Sequence, residues 1–148
     1  MEKVFEAYVA RELKQALADL GWEVVTQDKG CYLFDSPRQF ALRPDIVITR
    51  RDGSKIILDT KWKSLVDDRR INYGIAQADM YQMYAYSKKY GTPEIWLLYP
   101  LNRQMRGHPQ IAFDSADGVN VRLFFVDVAH IEQSLSILRR QLVPAWSE

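Results

Sequence analysis

Residues 43–61, RPDIVITRRDGSKIILDTK, constrain this chain more than any other stretch. Two apolar runs, Ile46-Val47-Ile48 and Ile56-Ile57-Leu58, flank Asp52-Gly53, a dipeptide suited to the positive-φ turns of β-hairpins. The pattern predicts two antiparallel strands whose open end carries Asp45 on one side and Asp59-Thr60-Lys61 on the other. Carboxylates at the end of a buried hairpin are costly to leave uncompensated. A hard divalent cation compensates them, and Mg²⁺ held by one or two carboxylates is a common device for phosphodiester hydrolysis.

Register decides whether such a site exists. Side chains alternate along a strand, so Asp59 and Lys61 share one face and Thr60 takes the other. A strict two-residue Asp52-Gly53 turn sets Asp45 opposite Thr60, on the wrong face. An odd-length turn or a bulge sets it opposite Lys61, on the right one. Pro44 also favours a bend at Asp45. The odd register or the bend is therefore expected. Asp45 and Asp59 then offer carboxylate oxygens to Mg²⁺, with Mn²⁺ as a substitute, and the Thr60 carbonyl adds a third ligand. Lys61 orients the attacking water or offsets charge on phosphorus, and acts as a base only if its neighbours depress its pKa. The competing reading is an ordinary surface ion pair, the commoner origin of Asp-x-Lys alone. Pro-Asp opening one strand and Asp-x-Lys closing the next is the rarer combination.

A length of 148 residues suits one domain, taken here as 1–148. Twenty Lys and Arg against 19 Asp and Glu leave a formal net charge of +1, so DNA binding would need a local basic patch or a partner. Arg43, Arg50, Arg51, Lys61, Lys63, Arg69 and Arg70, clustered in sequence around the hairpin, are the expected patch. The single Cys31 rules out an internal disulfide and suits a reducing compartment; with two histidines it is too little for an ordinary zinc site. Neither a membrane-length apolar run nor a signal peptide is evident, so a cytoplasmic protein without a membrane partner is expected.

Apolar residues at three- and four-residue steps from Val4 to Leu20, closed by Gly21, predict an amphipathic helix. Short strands are expected at residues 22–26 and 31–34, then the hairpin over 45–62. The polar stretch 66–70 reads as a loop, either a mobile flap over the site or plain surface. A helix over 75–90, with Ala76, Met80, Met83, Tyr84 and Ser87 along one side, ends at Gly91. Residues 94–99 read as a strand covered on both faces, 110–113 and 121–128 as two more, and 131–142 as a last helix stopped before Pro144. The order predicts an α/β fold, a central mixed sheet with helices on both sides. Trp62, Tyr84, Tyr86 and Trp96 are candidates for stacking on bases, though aromatics at these spacings usually belong to the core.

Pro44-Asp45, then Asp59-Thr60-Lys61, then Gln77-Ala78-Asp79-Met80-Tyr81 resemble the ordered motifs of the PD-(D/E)xK nuclease superfamily, whose RecB-like branch adds Gln-x-x-x-Tyr on the following helix. The surrounding residues, from Leu42 to Val47, Leu58 to Lys63 and Gln77 to Tyr86, are most similar to the C-terminal nuclease domain of the McrC family, cleavage subunits of modified-cytosine restriction. The resemblance implies a restriction-endonuclease-like core and Mg²⁺-dependent endonuclease chemistry on DNA, with Asp45, Asp59 and Lys61 as the catalytic set. It adds Glu6, matching an acidic position that some members use near the metal. It also adds Gln77 and Tyr81, four apart on one helix face and suited to holding a phosphate or a water.

The resemblance further implies a McrB-like GTPase partner that reads the modification, and a docking region ahead of the nuclease domain. With Met1 only five residues before Glu6, that region is expected to be absent, in an excised domain or a short homologue. A double-strand cut needs two sites, so dimerisation in the working complex is expected. The alternatives are a RecB-like DNA repair nuclease with the same motifs and a catalytically silent nuclease-fold module kept for assembly.

Overall fold

The structure, a computed structural model, describes residues 1–108 and 110–143; Pro144, the expected stop of the last helix, lies outside them. Helix α1 (Glu2–Ala16) buries Phe5, Val9 and Leu13 at four-residue steps, and Gly21, at φ +69°, turns the chain into β1 (Glu23–Thr26). A separate two-stranded sheet follows, β2 (Cys31–Asp35) with β3 (Arg38–Leu42). The hairpin is β4 (Ile46–Thr49) and β5 (Lys55–Thr60). Helix α2 (Gln77–Tyr90), β6 (Glu94–Pro100), β7 (Ala112–Asp114), β8 (Asn120–Val126) and α3 (Ile131–Leu142) complete the chain.

Six strands form one mixed sheet in the order β1-β4-β5-β6-β8-β7, parallel across β5, β6 and β8 and antiparallel elsewhere. Helices α1 and α3 cover one face, over Ile46, Ile48, Ile56, Leu58 and Leu98. Helix α2 covers the other, where Met83 and Tyr86 join Val47, Ile57, Ile95 and Leu97. Alternate residues of β5 and β6 thus enter opposite cores, which explains why both strands are apolar without interruption. This is the expected α/β arrangement. None of the described helices is long and apolar enough to cross a membrane.

Three details differ from the sequence reading. Strand β3 was not expected; it is exposed along nearly its whole length, so no alternation of apolar residues announces it. On α2 the buried face carries Tyr86 rather than Tyr84, whose hydroxyl donates instead to Asp117 outside the core. The stretch 66–70 is tied down: Val66 N–H donates to the Tyr73 carbonyl and Asp67 N–H to Gln104.

The turn of the hairpin sets the register. Arg50 N–H donates to the Ser54 carbonyl and Gly53 N–H to the Arg50 carbonyl, so the loop is three residues long, with Gly53 at φ +88°. Asp52 steadies it by accepting from the Ser54 N–H and hydroxyl. The odd length is the expected one. The pairing Ile46↔Leu58 carries Asp45 opposite Asp59, two residues short of the Lys61 partner expected from sequence, and on the same face of the sheet.

Candidate active site

The open end of the hairpin lies at the carboxyl ends of parallel strands β5 and β6, where open α/β sheets place their ligands. A cleft of about 490 Å³ opens there, lined by Glu6, Asp45, Asp59, Thr60, Lys61 and Gln82, with Arg43, Lys63 and Asp79 at its edges. A larger hollow of about 590 Å³ lies between α3, β8 and the segment after β6, but its lining is mainly apolar and, among the described residues, Asp127 is its one carboxylate.

Asp45 sits at a bend just before β4, as Pro44 suggested. Its Oδ2 accepts from both the N–H and the hydroxyl of Thr60, each at 2.8 Å, and its Oδ1 accepts from Gln27 Nε2 at 3.2 Å. Asp59, the last buried residue of β5, accepts from the Asp45 N–H at 3.2 Å and holds Lys61 Nζ at 2.8 Å. The two ends of the hairpin therefore lock each other, each aspartate fixed by the other's backbone or its neighbour's. Glu6 arrives from α1. Phe5 is buried against the Trp62 ring, 5.2 Å between centroids, and the next residue on the helix turns toward the cleft, where Gln27 bridges Glu6 to Asp45.

The electrostatics are crowded. Burial, then the negative charge of Asp45, push the Asp59 carboxyl up to about 7. Glu6 is raised for the same two reasons. Burial opposes the charge on Lys61, but Asp59 and Asp79 outweigh it, and its pKa is raised. Lys61 Nζ also stands 3.5 Å from Asp79 and donates to Gln82 Oε1 at 3.0 Å. Beneath this layer the hydroxyls of Tyr86 and Tyr99 are buried without a hydrogen-bond partner among the described residues, and both are pushed up by burial and by the aspartates above them.

These residues fit a hard cation. The donors are carboxylates and backbone oxygen, and the burial and the repulsion by Asp45 that raise Glu6 and Asp59 both penalise bare carboxylates, a cost that a bound positive charge would offset. Among the described residues no three acidic, histidine or cysteine groups form a closed cage, and Mg²⁺ needs only one or two carboxylates beside its waters.

The structure brings together Glu6, Asp45, Asp59, Thr60 and Lys61, and it does not bring Gln77 and Tyr81 to them. Gln77 Nε2 donates to the Tyr81 hydroxyl at 2.6 Å on the exposed side of α2, and Tyr81 is 66% exposed. The helix presents Asp79 and Gln82 to the cleft and Tyr86 to the core below it. The signal for these was legible: Gln82-Met83-Tyr84-Ala85-Tyr86 repeats the Gln-x-x-x-Tyr spacing five residues on.

The expected basic patch divides. Arg43 and Lys63 border the cleft and Lys61 lies inside it. Arg50 is at the opposite end of the hairpin, paired with Glu94, and Arg70 is paired with Asp68. Of the stacking candidates, Tyr86 and Trp96 are core and Tyr84 is engaged by Asp117; Trp62, packed on Phe5, keeps 38% of its surface.

A six-stranded mixed sheet flanked by helices, with its cleft where two strands diverge from a hairpin, defines a restriction-endonuclease-like fold. Residues 1–100 match the family described as McrBC 5-methylcytosine restriction system component, and the chain belongs to that family. Among solved structures it is similar to McrC in a half-complex from the tetradecameric assembly of Thermococcus gammatolerans McrB AAA+ hexamers with bound McrC. The TM-score is 0.72 at 16% identity, over 97% of this chain and 33% of that one. The chain therefore spans about a third of that relative's length. A protein of unknown function, AF1548, matches more loosely, with a TM-score of 0.47 at 15% identity over 92% of this chain and 67% of that one. No curated protein sequence matches the chain.

Proposed function

We propose that this chain is the metal-dependent DNA-cleaving module of a McrBC-like, modification-dependent restriction system. The observation that carries the reading is the juxtaposition of Asp45 and Asp59 across the hairpin's open end, with the Lys61 ammonium on Asp59. Asp45 and Asp59, with the Thr60 carbonyl, would hold a divalent cation, Mg²⁺ or Mn²⁺, which would supply Lewis acidity for phosphodiester hydrolysis.

The chain's own residues prepare the rest. Thr60 holds the Asp45 carboxylate in one orientation through two hydrogen bonds. Lys61, its pKa raised, stays an ammonium and offsets charge developing on the phosphoryl oxygens rather than serving as a base. Gln82 and Asp79 hold that ammonium over the cleft from α2. Glu6, linked to Asp45 through Gln27, adds a third carboxylate at the rim, suited to orienting the attacking water. Arg43 and Lys63 stand where phosphates flanking the scissile one pass.

The relative of similar fold is bound to McrB hexamers, and the corresponding partner for this chain is a McrB-like GTPase. Two copies in the working complex would cut both strands. The test is plasmid cleavage in Mg²⁺ or Mn²⁺, with and without the GTPase partner, beside Asp59→Ala and Lys61→Ala. Cleavage that both substitutions abolish is the expected result. An intact plasmid in the presence of partner, nucleotide and metal would sink the nuclease reading and leave an assembly module.

A further inference from the structure

We propose that the outer face of α1 is the track along which the DNA strand leaves the cleft, its phosphates held by Lys3, Arg11 and Lys14. The inference rests on the nuclease reading above and names where that substrate runs. Two shallow hollows continue the cleft across this helix. One, of about 340 Å³, lies between α1 and the edge strand β1 and is lined by Glu6, Ala7, Ala10, Arg11 and Lys14. The other, of about 470 Å³, is lined by Lys3, Ala7, Tyr8 and Arg11. Glu6 borders both the cleft and the first hollow, and Lys3 borders both the cleft and the second, so each hollow adjoins the cleft through a shared side chain.

Helical geometry aligns the charges. At about 100° per residue, Lys3, Arg11 and Lys14 fall within roughly 80° of one another, with Ala7 between them. From Lys3 to Lys14 the helix rises about 16 Å, close to the axial span of five nucleotides of one strand. Ala7 is exposed and presents only a methyl at the middle of the strip, beside the exposed Val4, while Ala10 is buried in the core beneath. Among the described residues Glu6, on the cleft side, is the one carboxylate lining either hollow. Arg11 is 67% exposed, stacked over Tyr8 and 3.7 Å from Glu12.

The alignment matters because the whole chain is nearly neutral, with a formal net charge of +1. A polyanion with one phosphate in the cleft must lay the next ones on surfaces continuous with it. A strip with three cations and a single acid is complementary to them. Lys3 touches both regions and marks the exit.

The experiment measures binding of a short fluorescein-labelled duplex by anisotropy, in Ca²⁺ to prevent turnover, over a series of salt concentrations. Lys3 is left in place because it also borders the cleft. The double variant R11A/K14A is expected to bind about tenfold more weakly and to lower the slope of log K against log salt by about 2. K88A/R140A, which removes equal charge from the C-terminal ends of α2 and α3, serves as the control and is expected to bind like the parent. Thermal melts confirm that both variants fold.

Unchanged affinity and slope in R11A/K14A would overturn the track, as would a parent chain that shows no duplex binding. Loss of equal size in the control variant would overturn it too, by reducing the effect to bulk charge. Cleavage in Mg²⁺ with the GTPase partner, read in parallel, separates the two ideas. A parent that cuts while R11A/K14A binds normally removes the track alone. A parent that binds through α1 and leaves DNA uncut removes the nuclease reading and retains the track.

Discussion

At the turn end of the β4–β5 hairpin, Arg50 donates to both oxygens of Glu94, at 3.0 and 2.8 Å, and to the Leu142 carbonyl at the end of α3. Its guanidinium also lies over the Trp22 ring. At the open end, Asp45 and Asp59 face each other beneath Glu6, and the Lys61 ammonium is the counter-charge in direct contact with Asp59. The hairpin thus has at its turn end an arginine whose charge is matched from β6, and at its open end a cluster whose negative charge is in excess. Both ends are partly buried, so exposure does not separate them. What differs is the balance of charge: the first arrangement pairs one cation with one anion and holds α3 against the sheet, and the second leaves carboxylates in excess, which a bound cation would offset.

Breaking each end should therefore have opposite consequences. Asp59→Ala and Lys61→Ala are expected to lower DNA cleavage by about a thousandfold or more while the protein remains folded, read by plasmid nicking beside circular dichroism. Arg50→Met should do the reverse, destabilising by about 2 kcal/mol in urea titrations and leaving cleavage per folded molecule intact. That figure is held below the usual cost of a broken buried pair because the Glu94 side chain is 40% exposed. If Arg50→Met abolished cleavage without loss of stability, the division between the two ends would fail.

The α2 side of the open end can be sharpened by a pair of changes. Gln82→Ala removes the amide that holds Lys61 and should slow cleavage about tenfold, whereas Gln77→Ala, on the exposed face, should stay within about twofold. Equal effects would return Gln77 and Tyr81 to the site.

The smallest effect is on metal-free stability. The folded Asp59 carboxyl is pushed up to about 7 by burial and by Asp45, above its value in an unfolded chain. A raised acid binds its proton more tightly when folded, so its contribution is full below the unfolded carboxylate value and is lost as pH rises through about 7. The metal-free melting temperature should accordingly fall by several degrees between pH 5 and pH 8. Asp59→Asn should flatten that slope, and Mg²⁺ should restore stability at pH 8. A parent whose melting temperature rises with pH would contradict the crowding argument.

Some of this was legible in the residues and some was not, for identifiable reasons. The hairpin, its odd parity and the bend at Asp45 could be read because strand alternation and turn chemistry are local. The exposed β3 could not, since its residues repeat no burial pattern. On α2, two Gln-x-x-x-Tyr spacings follow one another with an offset of five residues, about 140° around the helix. Either could face the sheet until Met83 and Tyr86 were seen to enter the core. The cations around the hairpin looked like one patch because they are close in sequence, yet five extended residues separate Arg50 from Asp45 by about 16 Å.

Local chemistry in the sequence determined that strands form here, which side chains share a face, and that acids and a lysine gather at one strand end, because these follow from alternation and from turn preferences within a few residues. Which helix face looks into that cluster, which arginine leaves it for Glu94, and how far the register slides all depended on the tertiary structure. Those choices are made by packing between segments tens of residues apart, where burying Tyr86 or pairing Arg50 outweighs any local preference.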